Sequence, residues 1–126
     1  MSETETVLVC VTDQMSCGRL IRRGRERADE KNCPLRVLHV RTREKTMMGN
    51  PDISSALNDL YRLAREADAE MEIISSQDVE RTIADYARKY RAALVVLGES
   101  PRGRQPGMPE KLTPMIPQIP LEIVRD

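Results

Sequence analysis

Short apolar runs rich in Val, Leu and Ile recur along this chain, and between them the apolar positions fall at every third or fourth residue. The run Ala92-Ala93-Leu94-Val95-Val96-Leu97, closed by Gly98, has no polar residue to alternate with. That pattern suits a strand buried on both faces, as in a parallel sheet covered by helices. Thr6–Val11 reads as another buried strand, and Leu35–Val40 as a second strand after it. Glu70–Ile74 and Leu121–Val124 alternate in part, which places them at sheet edges.

The intervening stretches read as helices. Ser16 caps one that runs through Ala28, with Leu20, Ile21 and Ala28 inward and Gly24 allowing close approach to a sheet. Its other face carries Arg19, Arg22, Arg23, Arg25, Glu26 and Arg27. That face is a solvated one, or Arg19 or Arg22 helps to hold an anion near Thr12. Asn32-Cys33-Pro34 breaks this helix. A second helix is expected over Ile53–Ala69, capped by Asp52 after the break at Pro51, with Leu57, Leu60, Tyr61, Ala64 and Ala67 at helical spacing. A third carries the stripe Val79, Ile83, Tyr86, Ala87 and Tyr90, whose two tyrosines read as packing groups. Between Met108 and Pro120 four prolines limit any helix to a turn or two, with Pro109 tolerated at its start. The order β-α-β-α-β-α-β-short helix-β, with right-handed crossovers, gives an open doubly wound α/β sheet with helices on both faces.

The length of 126 residues fits one domain over 1–126. Twenty basic residues balance twenty acidic ones, which argues against a nucleic-acid partner. Phe and Trp are absent and Tyr occurs three times, too few rings for a single-strand stacking platform. No run approaches the roughly 20 apolar residues of a membrane span. The acidic, polar start Met1–Thr6 is no signal peptide, so a cytoplasmic protein with no membrane partner is expected. Cys10, Cys17 and Cys33 have no metal-ligand spacing and read as reduced, structural residues.

The chemistry is sparse. His39, the single histidine, lies in a strand without an acidic or Cys neighbour, and a structural role is expected for it. There is no GxSxG elbow, no Walker A loop and no grouped zinc ligands. No catalytic residue and no metal site are assigned. Ligands in open α/β sheets collect beyond the carboxyl ends of the strands. The segment Glu99–Gly107 follows the fourth strand there. Gly98, Gly103 and Gly107 with Arg102 and Arg104 could cradle a phosphate, and the same residues also compose an ordinary surface loop.

Val7-Leu8-Val9-Cys10-Val11, Leu38-His39-Val40 and Leu94-Val95-Val96-Leu97-Gly98 resemble the universal stress protein family over nearly the whole chain. Within it, Val9-Cys10-Val11 with Arg19–Arg23, and Asp78-Val79 with Ile83–Ala87, are similar to the stress-protein-like module of bacterial potassium-responsive sensor kinases. The resemblance implies a five-stranded parallel sheet in the order 3-2-1-4-5, and often a homodimer. In the ATP-binding branch an acidic residue closes the first strand, where Thr12 and Asp13 stand here. There a Gly-x2-Gly-x9-Gly-Ser/Thr loop follows the fourth strand. Gly98 matches its first glycine, but Pro101 takes the place of the second and Lys111-Leu112 that of the last pair, so this loop is degenerate. Some sensor-kinase modules bind cyclic di-AMP through a Ser-x-Ser at the first strand end, where this chain has Thr12-Asp13-Gln14.

The expected function is a small regulatory module, not an enzyme, that binds a nucleotide or other anion. Its ligand is left open among ATP, AMP and a cyclic dinucleotide. The expected site is Thr12, Asp13, His39, Val40, Gly98, Ser100, Arg102 and Gly103. Thr12 and Asp13 would meet a ribose or base, Val40 would offer its backbone to the base, and the Gly98–Gly103 segment would meet phosphate. The alternative is a dimeric interaction protein without a small ligand, pairing through its last strand. A nucleotide hydrolase ranks third, because no metal-binding carboxylate pair or base is evident.

Overall fold

The structure, a computed structural model, describes residues 5–11, 17–41, 51–98 and 108–124. The apolar runs form five parallel strands: β1 (Thr6–Val11), β2 (Leu35–Arg41), β3 (Glu70–Ser75), β4 (Ala92–Gly98) and β5 (Leu121–Val124). Their order across the sheet is β3-β2-β1-β4-β5. Helices α1 (Cys17–Lys31), α2 (Pro51–Glu66), α3 (Val79–Lys89) and the short α4 (Met108–Leu112) join them.

Strand alternation divides the core into two layers. Val7, Val9 and Val11 of β1, with Val37, Leu94 and Val96, pack against Leu20, Ile21 and Ala28 of α1 and Leu60 and Ala64 of α2. Leu8 and Cys10, with Leu38, Val95 and Leu97, pack against Ile83, Ala84, Tyr86 and Ala87 of α3 and Leu112 of α4. This is why β1 and β4 are apolar at nearly every position, whereas the edge strands β3 and β5 keep Glu70, Glu72 and Glu122.

Helix ends follow local chemistry. Asp78 caps α3, its Oδ1 accepting from the Arg81 N–H at 3.2 Å. At the end of α1, Cys33 N–H donates to Ala28 O and Asn32 N–H to Asp29 O, with Asn32 left-handed at φ 57°. At the end of α2, Ala69 N–H donates to Ala64 O and Asp68 N–H to Arg65 O, with Asp68 at φ 56°. Both are Schellman closures. Two expectations for α2 therefore change. It starts at Pro51, so Asp52 is a first-turn residue and not the cap, since proline's fixed φ favours the first helical position. It stops at Glu66, three residues short of Ala69, because the closure at Asp68 turns the chain into β3. Tyr61 also departs from the inward stripe and is exposed, one residue and about 100° round the helix from buried Leu60.

Helix α1 is fastened at close range. A Cβ at Gly24 would lie 2.2 Å from Val9 Cγ2 and 3.0 Å from Leu35 Cδ1, so only glycine permits this approach to the sheet. Three of the helix's arginines are engaged in holding neighbours. Arg25 Nη1 donates to Ala67 O at 2.8 Å, tying α1 to the end of α2. Arg23 Nη1 and Arg27 Nε donate to the Glu122 carboxylate on β5 at 2.6 and 2.8 Å, with Arg27 Nη2 at 3.1 Å. The fork from Arg27, opposed by partial burial and helped by Arg23, holds the Glu122 carboxyl below the usual carboxylate range.

Gly24→Ala should destabilise the fold by up to about 2 kcal/mol. Overpacking against Val9 costs about 1–3 kcal/mol and outweighs the ~1 kcal/mol gain in helix propensity. Urea unfolding checks this, and an unchanged or raised midpoint contradicts the close approach. Glu122→Gln should cost about 1 kcal/mol at pH 7. The depressed carboxyl contributes its stability above its unfolded pKa and loses it as pH falls through the folded value. The difference between variant and parent should thus shrink steadily below about pH 4, and a gap that persists there contradicts an ionic tether.

Candidate functional site: the carboxyl end of β1, β2 and β4

Three strands end together at one side of the sheet. Val11, the last residue of β1, is level with His39 of β2. On the other side Val9 is level with Val96, so continuing that register by two residues brings Gly98 level with Val11. The chain reverses its direction of travel across the sheet between β1 and β4, since β2 and β3 lie to one side of β1 and β4 and β5 to the other. At such a point the helices after the two strands lie on opposite faces and a crevice opens between them. His39 and Gly98 flank it on strands two places apart, about 9–10 Å by strand spacing.

His39 is buried, 8% exposed, on the face shared with Leu35 and Val37. Its Nδ1 lies 3.0 Å from the backbone carbonyl of Val11. A carbonyl oxygen can only accept, so Nδ1 carries the proton and donates it. The ring thus closes the end of β1 from the neighbouring strand, in keeping with the structural role expected for it. Val40 is level with Ile74 of β3 and packs with the α3-side core. Gly98 is level with Val124 of β5, and a Cβ there would sit 3.4 Å from Leu20 Cδ1 of α1. Of the expected site residues, the fold brings His39, Val40 and Gly98 to one end of the sheet. Thr12, Asp13, Ser100, Arg102 and Gly103 lie outside the described residues, as do Ser16 and Pro101.

Among the described residues at this end, His39 is the one with an ionisable side chain assigned to the site. Burial pushes the Cys10 thiol up, which keeps it protonated and unreactive. The Cys33 thiol is also pushed up, first by burial and then by Glu5. Among the described residues no group of three or more His, Cys, Asp and Glu side chains could hold a metal ion, and no helix is long and apolar enough to cross a membrane. Arg19 and Arg22 of α1 are exposed, and the proposed anion partner at Thr12 lies outside the described residues.

The opposite, amino end of the sheet holds a polar cluster that periodicity alone did not disclose. Arg36 of β2 lays its guanidinium over the Tyr90 ring, 3.9 Å from the centroid, and donates from Nε to the Tyr86 hydroxyl at 3.0 Å. Burial pushes the Tyr86 hydroxyl up to about 12, against the pull of Arg36. The rings of Tyr86 and Tyr90 pack at 4.6 Å, so both serve as packing groups between α3 and the sheet. The signal in the sequence was an Arg on the α3 face of a strand opposite an i, i+4 tyrosine pair.

The fold has many solved relatives. A universal stress protein in complex with cAMP is 20% identical, with a TM-score of 0.71 and 98% of each chain covered. The universal stress protein from Archaeoglobus fulgidus in complex with dAMP is 18% identical, with a TM-score of 0.65 and 98% of each chain covered. A member of the family from Burkholderia pseudomallei is 16% identical, with a TM-score of 0.65 and 98% of each chain covered. At these identities the likeness speaks for the fold. No curated protein sequence matches the chain. The sequence profile of the universal stress protein family matches residues 3–108, which bear the first four strands and the three long helices. With this match and the 3-2-1-4-5 parallel sheet, the chain belongs to the universal stress protein family.

Proposed function

We propose that this chain is a regulatory module that binds a nucleotide at the carboxyl ends of β1, β2 and β4 and carries out no chemistry on it. The observation that carries the reading is the reversal of the sheet between β1 and β4, with His39, Val40 and Gly98 at the carboxyl ends of β2 and β4 on either side of β1. The complexes of family members with cAMP and dAMP support an adenine mononucleotide as ligand. In this reading Thr12 and Asp13 meet the ribose or base, the Val40 backbone meets the base, and Gly98, Ser100, Arg102 and Gly103 meet phosphate. Pro101 offers no N–H to a phosphate oxygen. That favours one phosphate, as in AMP or cAMP, over the three of ATP. The module acts as a homodimer through β5, the end strand of the sheet, and its output is a contact with a signalling partner, as in the sensor-kinase modules it resembles.

Thermal-shift measurements with AMP, cAMP, ATP and cyclic di-AMP test the reading. At 100 times the dissociation constant a true ligand stabilises by about 2.7 kcal/mol, roughly 10 °C for a chain of this size. AMP or cAMP should produce that shift, and Gly98→Val should abolish it while Gly98→Ala, whose Cβ makes ordinary contact with Leu20, keeps most of it. No shift with any nucleotide, together with a stable dimer in sedimentation, overturns this reading in favour of an interaction protein without a small ligand. Phosphate release from ATP that loop substitutions abolish overturns its non-catalytic part.

A further inference from the structure

We propose that the outer edge of β3 is a docking edge for an extended basic segment of a partner protein, which adds to the sheet as a sixth strand. This gives the partner contact of the proposed function a place, but nothing in it needs a nucleotide. β3 ends the sheet on the side away from β5, and among the described residues no strand pairs with its outer edge. An end strand keeps backbone N–H and C=O groups that a further strand can satisfy. Two features say what that strand should be. The first is charge. Glu66, Asp68, Glu70 and Glu72 stand at every second position leading into β3 and through its first half, and no Lys or Arg occurs between Arg65 and Arg81. Arg36 of the neighbouring β2 is already laid on Tyr90 and bonded to Tyr86. Glu70 and Glu72 share the α3 face of β3 with Ile74, which packs in that layer. The second feature is shape. On the α2 side, Tyr61, Ala64 and Met71 line a cleft of about 250 Å³ together with Arg65, Asp68 and Glu70. That is below the roughly 300–1,000 Å³ of small-molecule sites and suits a single side chain. A strand paired with β3 would present every second side chain to the cleft beside Tyr61 and Met71, and the intervening ones to Glu70 and Glu72. The matching segment therefore alternates apolar with basic residues. A second copy of this chain does not match. Antiparallel self-pairing of β3 would set four glutamates on one face of one ribbon, and like charges across strands are destabilising. The charges that hold identical edges apart attract a strand of opposite sign.

The test uses the intact chain without nucleotide and a fluorescein-labelled synthetic heptapeptide that alternates valine with lysine. One control peptide has serine in place of valine, and a second has glutamate in place of lysine. Fluorescence anisotropy should show saturable binding of the valine–lysine peptide, with a dissociation constant about tenfold or more below that of either control. Backbone amide shifts should centre on Met71–Ser75 and leave Leu121–Val124 in place. Glu70→Lys combined with Glu72→Lys should raise the dissociation constant about tenfold. Glu70→Gln combined with Glu72→Gln, the milder change, should raise it about threefold and decides the matter if the lysine variant does not fold. Urea unfolding establishes that each is folded. Equal binding of the serine–lysine peptide, shifts centred on β5, or parental affinity in the folded glutamate variants overturns the proposal. So does a dimer of the parent in sedimentation that the glutamine variant strengthens, because a second copy then occupies the edge. A failure to bind any nucleotide counts against the proposed function alone, since the peptide titration contains none.

Discussion

The rest of the structure depends on β1 being hydrogen-bonded along both edges and buried on both faces at once. Val7, Val9 and Val11 fill one layer, Leu8 and Cys10 the other, and all five are buried. Each such side chain removed from water contributes about 1.5–3 kcal/mol, and a slip of one residue would exchange the two layers wholesale. Register is therefore strongly fixed at this strand, and with it the level of His39 on one side and of Gly98 on the other. The crevice is a consequence of that register. Helix α1 adds to it by lying against Val9 at a distance that only Gly24 allows.

The two ends of the sheet are built by different means. Among the described residues, the three left-handed non-glycine positions, Asn32, Asp68 and Arg91, stand in the turns that lead from α1, α2 and α3 into β2, β3 and β4. These tight turns close the amino end, where Arg36 is also pinned between Tyr86 and Tyr90. The carboxyl end is closed by a side chain-to-backbone bond, His39 to Val11, and by the absence of a side chain at Gly98. The amino end is thus held by side chains and backbone turns, and the carboxyl end by the His39–Val11 bond among the described residues. The charged face of α1 takes no part in the crevice through Arg23, Arg25 and Arg27, which are engaged with Glu122 and the end of α2.

Much of the architecture was legible because burial on two faces leaves an unmistakable apolar run. The expected spans of β1, β4 and β5 match the observed ones residue for residue, and β2 and β3 each extend one residue further, to Arg41 and Ser75. The stripe of α3 and the role of Gly24 followed from helical spacing alone. Asp52 misled because a good capping residue beside a proline can be read in two orders, and the proline's own preference for the first helical position prevailed. Tyr61 misled because it sits on the flank of a stripe, where periodicity cannot separate a covered ring from an exposed one. The bond from His39 to Val11 and the fork from Arg23 and Arg27 to Glu122 span 28, 99 and 95 residues, and contacts so distant leave no local trace. The sheet order followed from family resemblance, since strand periodicity alone admits other orders.

The central claim is that ligand chemistry belongs to the carboxyl end of β1, β2 and β4 and not to the amino end. Titrating the 15N-labelled protein with cAMP and following backbone amide shifts tests it most directly. The account predicts that the amides of His39, Val40 and Gly98 and of the segments that follow Val11 and Gly98 move in a saturable manner, while those of Arg36 and Tyr90 stay in place. Saturable shifts centred on Arg36, Tyr86 and Tyr90, with Val40 and Gly98 unmoved, would contradict it.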